Sequence, residues 1–131
     1  MGTKYSGITP ESDNSIILNQ IQISSIRDLD PANGDELLNK ILHTFLETSI
    51  ELIRQIEEAV KNENAEDISH AAHSLKSCSA NIGAESLSEI AKNMELYGRA
   101  CELEQARQLM NNMQQRYQET TIEIKKLLNQ S

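Results

Sequence analysis

Between Ala65 and Gly83 the residues Ile68, Ala72, Leu75, Ser79 and Ile82 follow one another at spacings of 4, 3, 4 and 3. That alternation draws one narrow stripe along a single side of an α-helix, the kind of seam that neighbouring helices bury between them. A strand would need a period of two, which this stretch lacks. The same rhythm returns in three other places. From Asp35 it runs Leu38, Leu42, Phe45, Leu52, Ile56 and Val60, with Ile41 and Ile53 beside it, predicting a helix of about seven turns with Asp35 as its N-cap. A third stretch carries Leu87, Ile90, Ala91, Met94, Tyr97 and Cys101, and Ser86 and Glu89 have the Ser-x-x-Glu spacing of a capping box. The fourth carries Ala106, Leu109, Met113, Tyr117, Thr120, Ile124 and Leu127.

The breaks between these stretches are short. Asn62-Glu63-Asn64 separates the first two, and Gly83 sits where a left-handed residue closes a helix. A loop of a few residues cannot carry the chain back to the far end of a helix, so sequence neighbours must run antiparallel. The expected fold is all-α, an antiparallel up-down-up-down four-helix bundle. A short N-terminal cap helix is expected from Ile16-Ile17-Leu18, Ile21, Ile23, Ile26 and Leu29, ahead of the breaker Asp30-Pro31-Ala32-Asn33-Gly34. Residues 1–18 open with Gly2, Gly7, Pro10 and a polar cluster and lack an apolar period. They read as a flexible linker or tag remnant, leaving 19–131 as the bundle.

Composition removes several function classes. Only 5 of the 131 residues are Gly, and neither phosphate-cradling glycine motif occurs, so the chain is not expected to hold a nucleotide or to carry kinase activity of its own. A formal charge of −8 repels nucleic acid at long range, and no basic stripe offsets it. No apolar run reaches the ~20 residues needed to cross a bilayer, and the N-terminus has no signal-peptide core, so the expected setting is cytoplasmic without direct membrane contact. Cys78 and Cys101 are too few for a disulfide scaffold or a thiolate metal site, and both are expected to be buried thiols. The expected partner is therefore a protein, met by a monomer.

One histidine stands out. His73 lies one residue, about 100°, from the seam residue Ala72, so it flanks the core. At helical spacing it is surrounded by Ser69, His70, Lys76, Ser77 and Ala80. Small residues on a long helix face allow another backbone to approach the ring closely. Imidazole is substantially unprotonated and nucleophilic at neutral pH, so it can accept a phosphoryl group, and Lys76 one turn away supplies a cation for the phosphoryl oxygens.

The run Ala72-His73-Ser74-Leu75-Lys76-Ser77 followed by Gly83 reads H-x-x-K-[GS] and a helix-ending glycine, and here the chain resembles the histidine phosphotransfer domains of multistep two-component signalling. The resemblance covers roughly residues 20–128, including Phe45-Leu46 and Met94-Glu95-Leu96. It implies a phosphorelay intermediate in which His73 takes a phosphoryl group from a receiver-domain aspartate and passes it to another receiver. It further implies Lys76 as charge stabiliser, Ser77 as the small residue permitting approach, where the family more often has Gly, and Gly83 as helix terminator. The receiver supplies the aspartate and magnesium, and this chain needs no cofactor. The flexible-looking lead suggests a module of a hybrid sensor kinase.

Rival readings remain. His70 shares the strip but has no lysine three residues on and reads as a docking neighbour, along with Ser69 and Ala80. A metal site from Asp67, His70 and His73 lacks the inward Glu-x-x-His pairs of a di-metal bundle, so no metal is expected. A catalytic triad lacks an acidic residue to orient the ring and an oxyanion cavity. The alternative function is a non-catalytic adaptor that binds a partner through the same helix face.

Overall fold

The computed structural model describes residues 16–129, and the described residues form five helices with no strand. They are α1 (Gln20–Asp28), α2 (Gly34–Lys61), α3 (Ala65–Asn81), α4 (Glu85–Arg99) and α5 (Leu103–Asn129). The expected residues 1–15 of the linker lie outside the described part. Each of α2 to α5 packs on its sequence neighbours, and α5 closes the ring on α2, while α1 caps the bundle against α2. The four-helix bundle with its cap is thus present, and the core extends to Leu18, just ahead of α1.

Three of the connections share one device. At the ends of α2, α3 and α4, the residues Glu63, Gly83 and Cys101 adopt φ of 57°, 81° and 55°. In each case the next residue's N–H reaches back to a carbonyl five residues earlier, as in Asn64 to Ala59, Ala84 to Ser79 and Glu102 to Tyr97, at 2.8, 2.9 and 2.9 Å. This is the Schellman closure, which satisfies the orphan carbonyls, and each of these connections is three residues long. Such tight turns enforce the antiparallel order.

Three departures from expectation lie at the connections. Ala84 is both the last residue of the α3 closure and the N-cap of α4. No residue is left for a side-chain cap, so Ser86 falls inside the first turn and the expected capping box does not form. Helix α2 starts at Gly34 after Asn33, and Asp35 is not its cap. The Asp35 carboxylate instead takes the Arg27 guanidinium of α1 at 2.8 Å. Cys101, placed in the left-handed position of the α4 closure, is exposed, and only Cys78 is partly buried. Burial pushes the Cys78 thiol up.

Burial follows the seams closely. Ile68, Ala72, Leu75, Ser79 and Ile82 are all buried, as are Leu87, Ala91 and Met94 facing them from α4. Each large aliphatic side chain so removed from water contributes on the order of 1.5–3 kcal/mol. On α2 the stripe passes through Ser49 and Ile53, leaving Leu52 half-buried. Ser49 is tolerated inside because its hydroxyl meets that of Tyr117 at 2.9 Å, so each satisfies the other.

Candidate functional site

The α3 and α4 pair packs more extensively than any other in the bundle. Small residues make this possible. A methyl group added at Gly98 would lie 2.8 Å from the Ser69 nitrogen and 3.0 Å from the Ala65 oxygen, so only a glycine lets α4 approach the α3 backbone here. Ser69 is one turn before His73, and Gly98 is one turn after Glu95. The close crossing therefore fixes the distance over which side chains of α3 and α4 can meet.

His73 stands at this junction with its side chain 56% exposed. Its Nδ1 lies 2.9 Å from Oε2 of Glu95. The same oxygen takes Nη2 of Arg99 at 2.9 Å, and the other, Oε1, takes Nζ of Lys76 at 2.9 Å. Glu95 itself is only 4% exposed, while Lys76 and Arg99 are 32% and 65% exposed. The carboxylate is covered by its own partners at the rim of the bundle, and the three cationic or polar ends around it remain in reach of water.

The balance of forces on Glu95 follows. Burial pushes its carboxyl upward, but the hydrogen bonds from Lys76 and His73 and the charges of Lys76 and Arg99 outweigh that, and it is held below the usual carboxylate range. Ionised, it has only acceptors to offer, so Nδ1 of His73 must be the donor. The ring is thereby fixed in the tautomer with its lone pair on Nε2.

Among the other expected site residues, Ser77 and Ala80 are exposed on α3 and Ser69 is half-buried against α4. Gly83 closes the helix, and its carbonyl accepts from the Asn19 N–H at 2.8 Å, tying α1 to the end of α3. The sequence strip is split by the structure at one point. His70 lines a groove between α2 and α3 with Arg54, Glu58 and Asp67. His73 turns the other way, to α4.

The Hpt domain family model matches residues 40–130, which takes in most of α2 and all of α3, α4 and α5. The chain belongs to the Hpt domain family. Among solved structures, it is similar to histidine-containing phosphotransfer protein B (HptB) from Pseudomonas aeruginosa PAO1, with 26% identity and a TM-score of 0.81 over 89% of this chain and 98% of that one. Comparison with curated proteins finds no match. The Hpt domain serves histidine phosphotransfer in a phosphorelay, where Hpt domains interact with receiver domains. No helix among its described residues is long and apolar enough to cross a membrane.

Two members of this Hpt domain's histidine cluster escape a reading of the α3 motif alone. The expectation that no acidic residue orients the ring is corrected by Glu95, which comes from the neighbouring helix. A signal was available. On α4 the buried positions Leu87, Ala91, Met94, Glu95 and Gly98 lie on one face, and a carboxylate on such a face needs partners. Arg99, four residues further on, is one of them by helical spacing.

Proposed function

We propose that His73 is the phosphoryl acceptor of this Hpt domain and relays the group between two receiver domains. The observation that carries this reading is the ring itself: Nδ1 is held by Glu95, and the exposed ring offers Nε2 as its nucleophilic atom. In the forward step Nε2 attacks the phosphorus of an aspartyl phosphate on the donor receiver. The N–P bond forms, the P–O bond breaks, and the electron pair goes to the aspartate carboxylate. The return step onto the acceptor aspartate is the reverse.

Lys76 stabilises the phosphoryl oxygens in this scheme. Its ammonium is anchored through Glu95, on the same carboxylate that holds the ring, and is still a third exposed. Catalysis of phosphoryl transfer is chiefly positioning and charge stabilisation, and a nearby tethered cation supplies both. Ser69, Ser77 and Ala80 let the receiver backbone come close, with His70 at the edge of the docking face, and Gly83 ends the helix beyond it. In this proposal the acting unit is the bundle expected over residues 19–131, and Leu18 packs on its core as well.

The test is incubation with a phosphorylated receiver domain. The expected product is an acid-labile, alkali-stable label on the Hpt domain that disappears in His73→Gln. Label that persists in the variant overturns the assignment.

A further inference from the structure

We infer that Glu95 is a positioning residue that keeps the ring of phosphorylated His73 protonated, as an imidazolium, at neutral pH. This rests on His73 being the acceptor. The starting point is proton accounting on the ring. Before transfer Nδ1 carries the proton and donates it to Glu95 Oε2 at 2.9 Å. When Nε2 uses its lone pair to form the N–P bond, the ring becomes a cation with that same proton still on Nδ1. No proton has to enter or leave, provided that the cation is stabilised where it forms. A carboxylate in contact with Nδ1 does this.

The loaded state is then poised for onward transfer. From an imidazolium, the N–P bond breaks to release neutral imidazole, and the electron pair returns to Nε2. From a ring that has lost the Nδ1 proton, the same step must expel an imidazolate, a far poorer leaving group. Glu95 thereby favours transfer in both directions by holding one proton still.

The charged neighbours of the ring set the expected balance. From α4 come Glu95 and Arg99, and from its own helix Lys76, all joined on the one carboxylate. Lys92 lies exposed one turn before Glu95 on α4, and His70 is turned to the groove facing α2. Before loading, two cations draw on the charge of Glu95. The new phosphoryl group is a stronger partner for both, and their partly exposed ends are free to move toward it. The carboxylate is then left to the imidazolium.

The experiment loads the full chain with phosphoramidate as the phosphoryl source, confirms the modified residue by mass spectrometry, and follows the ring nitrogens by NMR as pH is raised. In Glu95→Gln, which keeps the shape and an acceptor oxygen, the phosphorylated ring should lose its proton at a pH lower by about one unit or more. In Arg99→Gln, which removes a positive charge from beside the ring and its phosphoryl group, the midpoint should move upward. Opposite shifts from two variants of one network do not arise from a general loosening of the fold. Equal midpoints in wild type and Glu95→Gln, with His73 phosphorylated in both, overturn the role of Glu95 alone. A wild-type chain in which His73 is never phosphorylated, by phosphoramidate or by a receiver, overturns the relay reading together with it.

Discussion

His73 and Arg99, from different helices, meet on the same oxygen of Glu95, each at 2.9 Å. One carboxylate thus joins the ring on α3 to the C-terminal turn of α4, and it does so only while ionised. Its carboxyl is held below the ordinary range, with burial opposing and the partners prevailing. A group whose folded value is depressed stabilises the fold above its unfolded value, and that contribution fades as pH falls through the folded one. Glu95→Gln should therefore cost about 1 kcal/mol at neutral pH, a modest figure because the partners are substantially solvated. The difference from wild type should vanish below the ordinary carboxylate range near pH ~4. Urea unfolding at a series of pH values checks this, and a gap that stays constant into acid contradicts it.

Lys76 is expected to affect rate more than stability. Lys76→Ala should slow transfer from a phosphorylated receiver by about 10-fold or more, in line with the loss of one stabilising donor at a charged transition state. The helical circular dichroism should be unchanged, and Lys76→Arg should recover part of the rate. Rapid-quench measurement of phosphoryl transfer separates these outcomes. An alanine variant as fast as wild type removes Lys76 from the chemistry.

Much of this molecule can be read from its sequence, and the limits have a physical cause. The seam of Ile68, Ala72, Leu75 and Ile82 is legible because burial of a helix depends on a period within one segment. His73 and Lys76 are legible for the same reason, being one turn apart. Glu95 and Arg99 belong to another helix, and their meeting with His73 depends on how closely α4 lies to α3, a distance set by Gly98 against the Ser69 backbone. Ser49 is passed over because its partner Tyr117 is 68 residues away. The capping box at Ser86 fails because a local motif there competes with a turn that has already used Ala84.

Gly98 offers a direct test of that spacing. Gly98→Ala puts a methyl group against backbone atoms of Ser69 and Ala65 that cannot yield independently. The cost should be about 1–3 kcal/mol, as for other overpacked contacts. Because the displaced turn carries Glu95 on its inner side, the His73 Nδ1 proton should also become less protected from exchange with water. Denaturant unfolding and imidazole NMR read the two effects.

Gly83 holds the other end of α3. At φ of 81° a side chain is strained, and a Cβ there would lie 3.1 Å from both the nitrogen and oxygen of Asn19. Gly83→Ala should destabilise the domain by about 1–2 kcal/mol. The amides of α1 should lose protection first, since the Asn19 N–H bond to the Gly83 carbonyl is the tie that is disturbed. Hydrogen exchange resolved by residue measures this, and uniform loss of protection across the bundle contradicts it.

The buried hydroxyl pair between α2 and α5 makes the last prediction. Ser49 and Tyr117 each have one polar atom inside the bundle, 2.9 Å apart. Tyr117→Phe leaves the Ser49 hydroxyl without its tyrosine partner and should cost about 1–2 kcal/mol, and Ser49→Ala should cost a similar amount by stranding the tyrosine oxygen. The double variant removes both polar groups together, so it should cost clearly less than the two single changes added, with a coupling of about 1 kcal/mol in a double-mutant cycle. Neither residue belongs to the cluster of His73, Glu95, Lys76 and Arg99, so phosphoryl transfer at a temperature where all variants are folded should be unchanged. Strict additivity of the two changes would show that the hydroxyls do not depend on each other, and the polar break in the α2 stripe would then need a different cause.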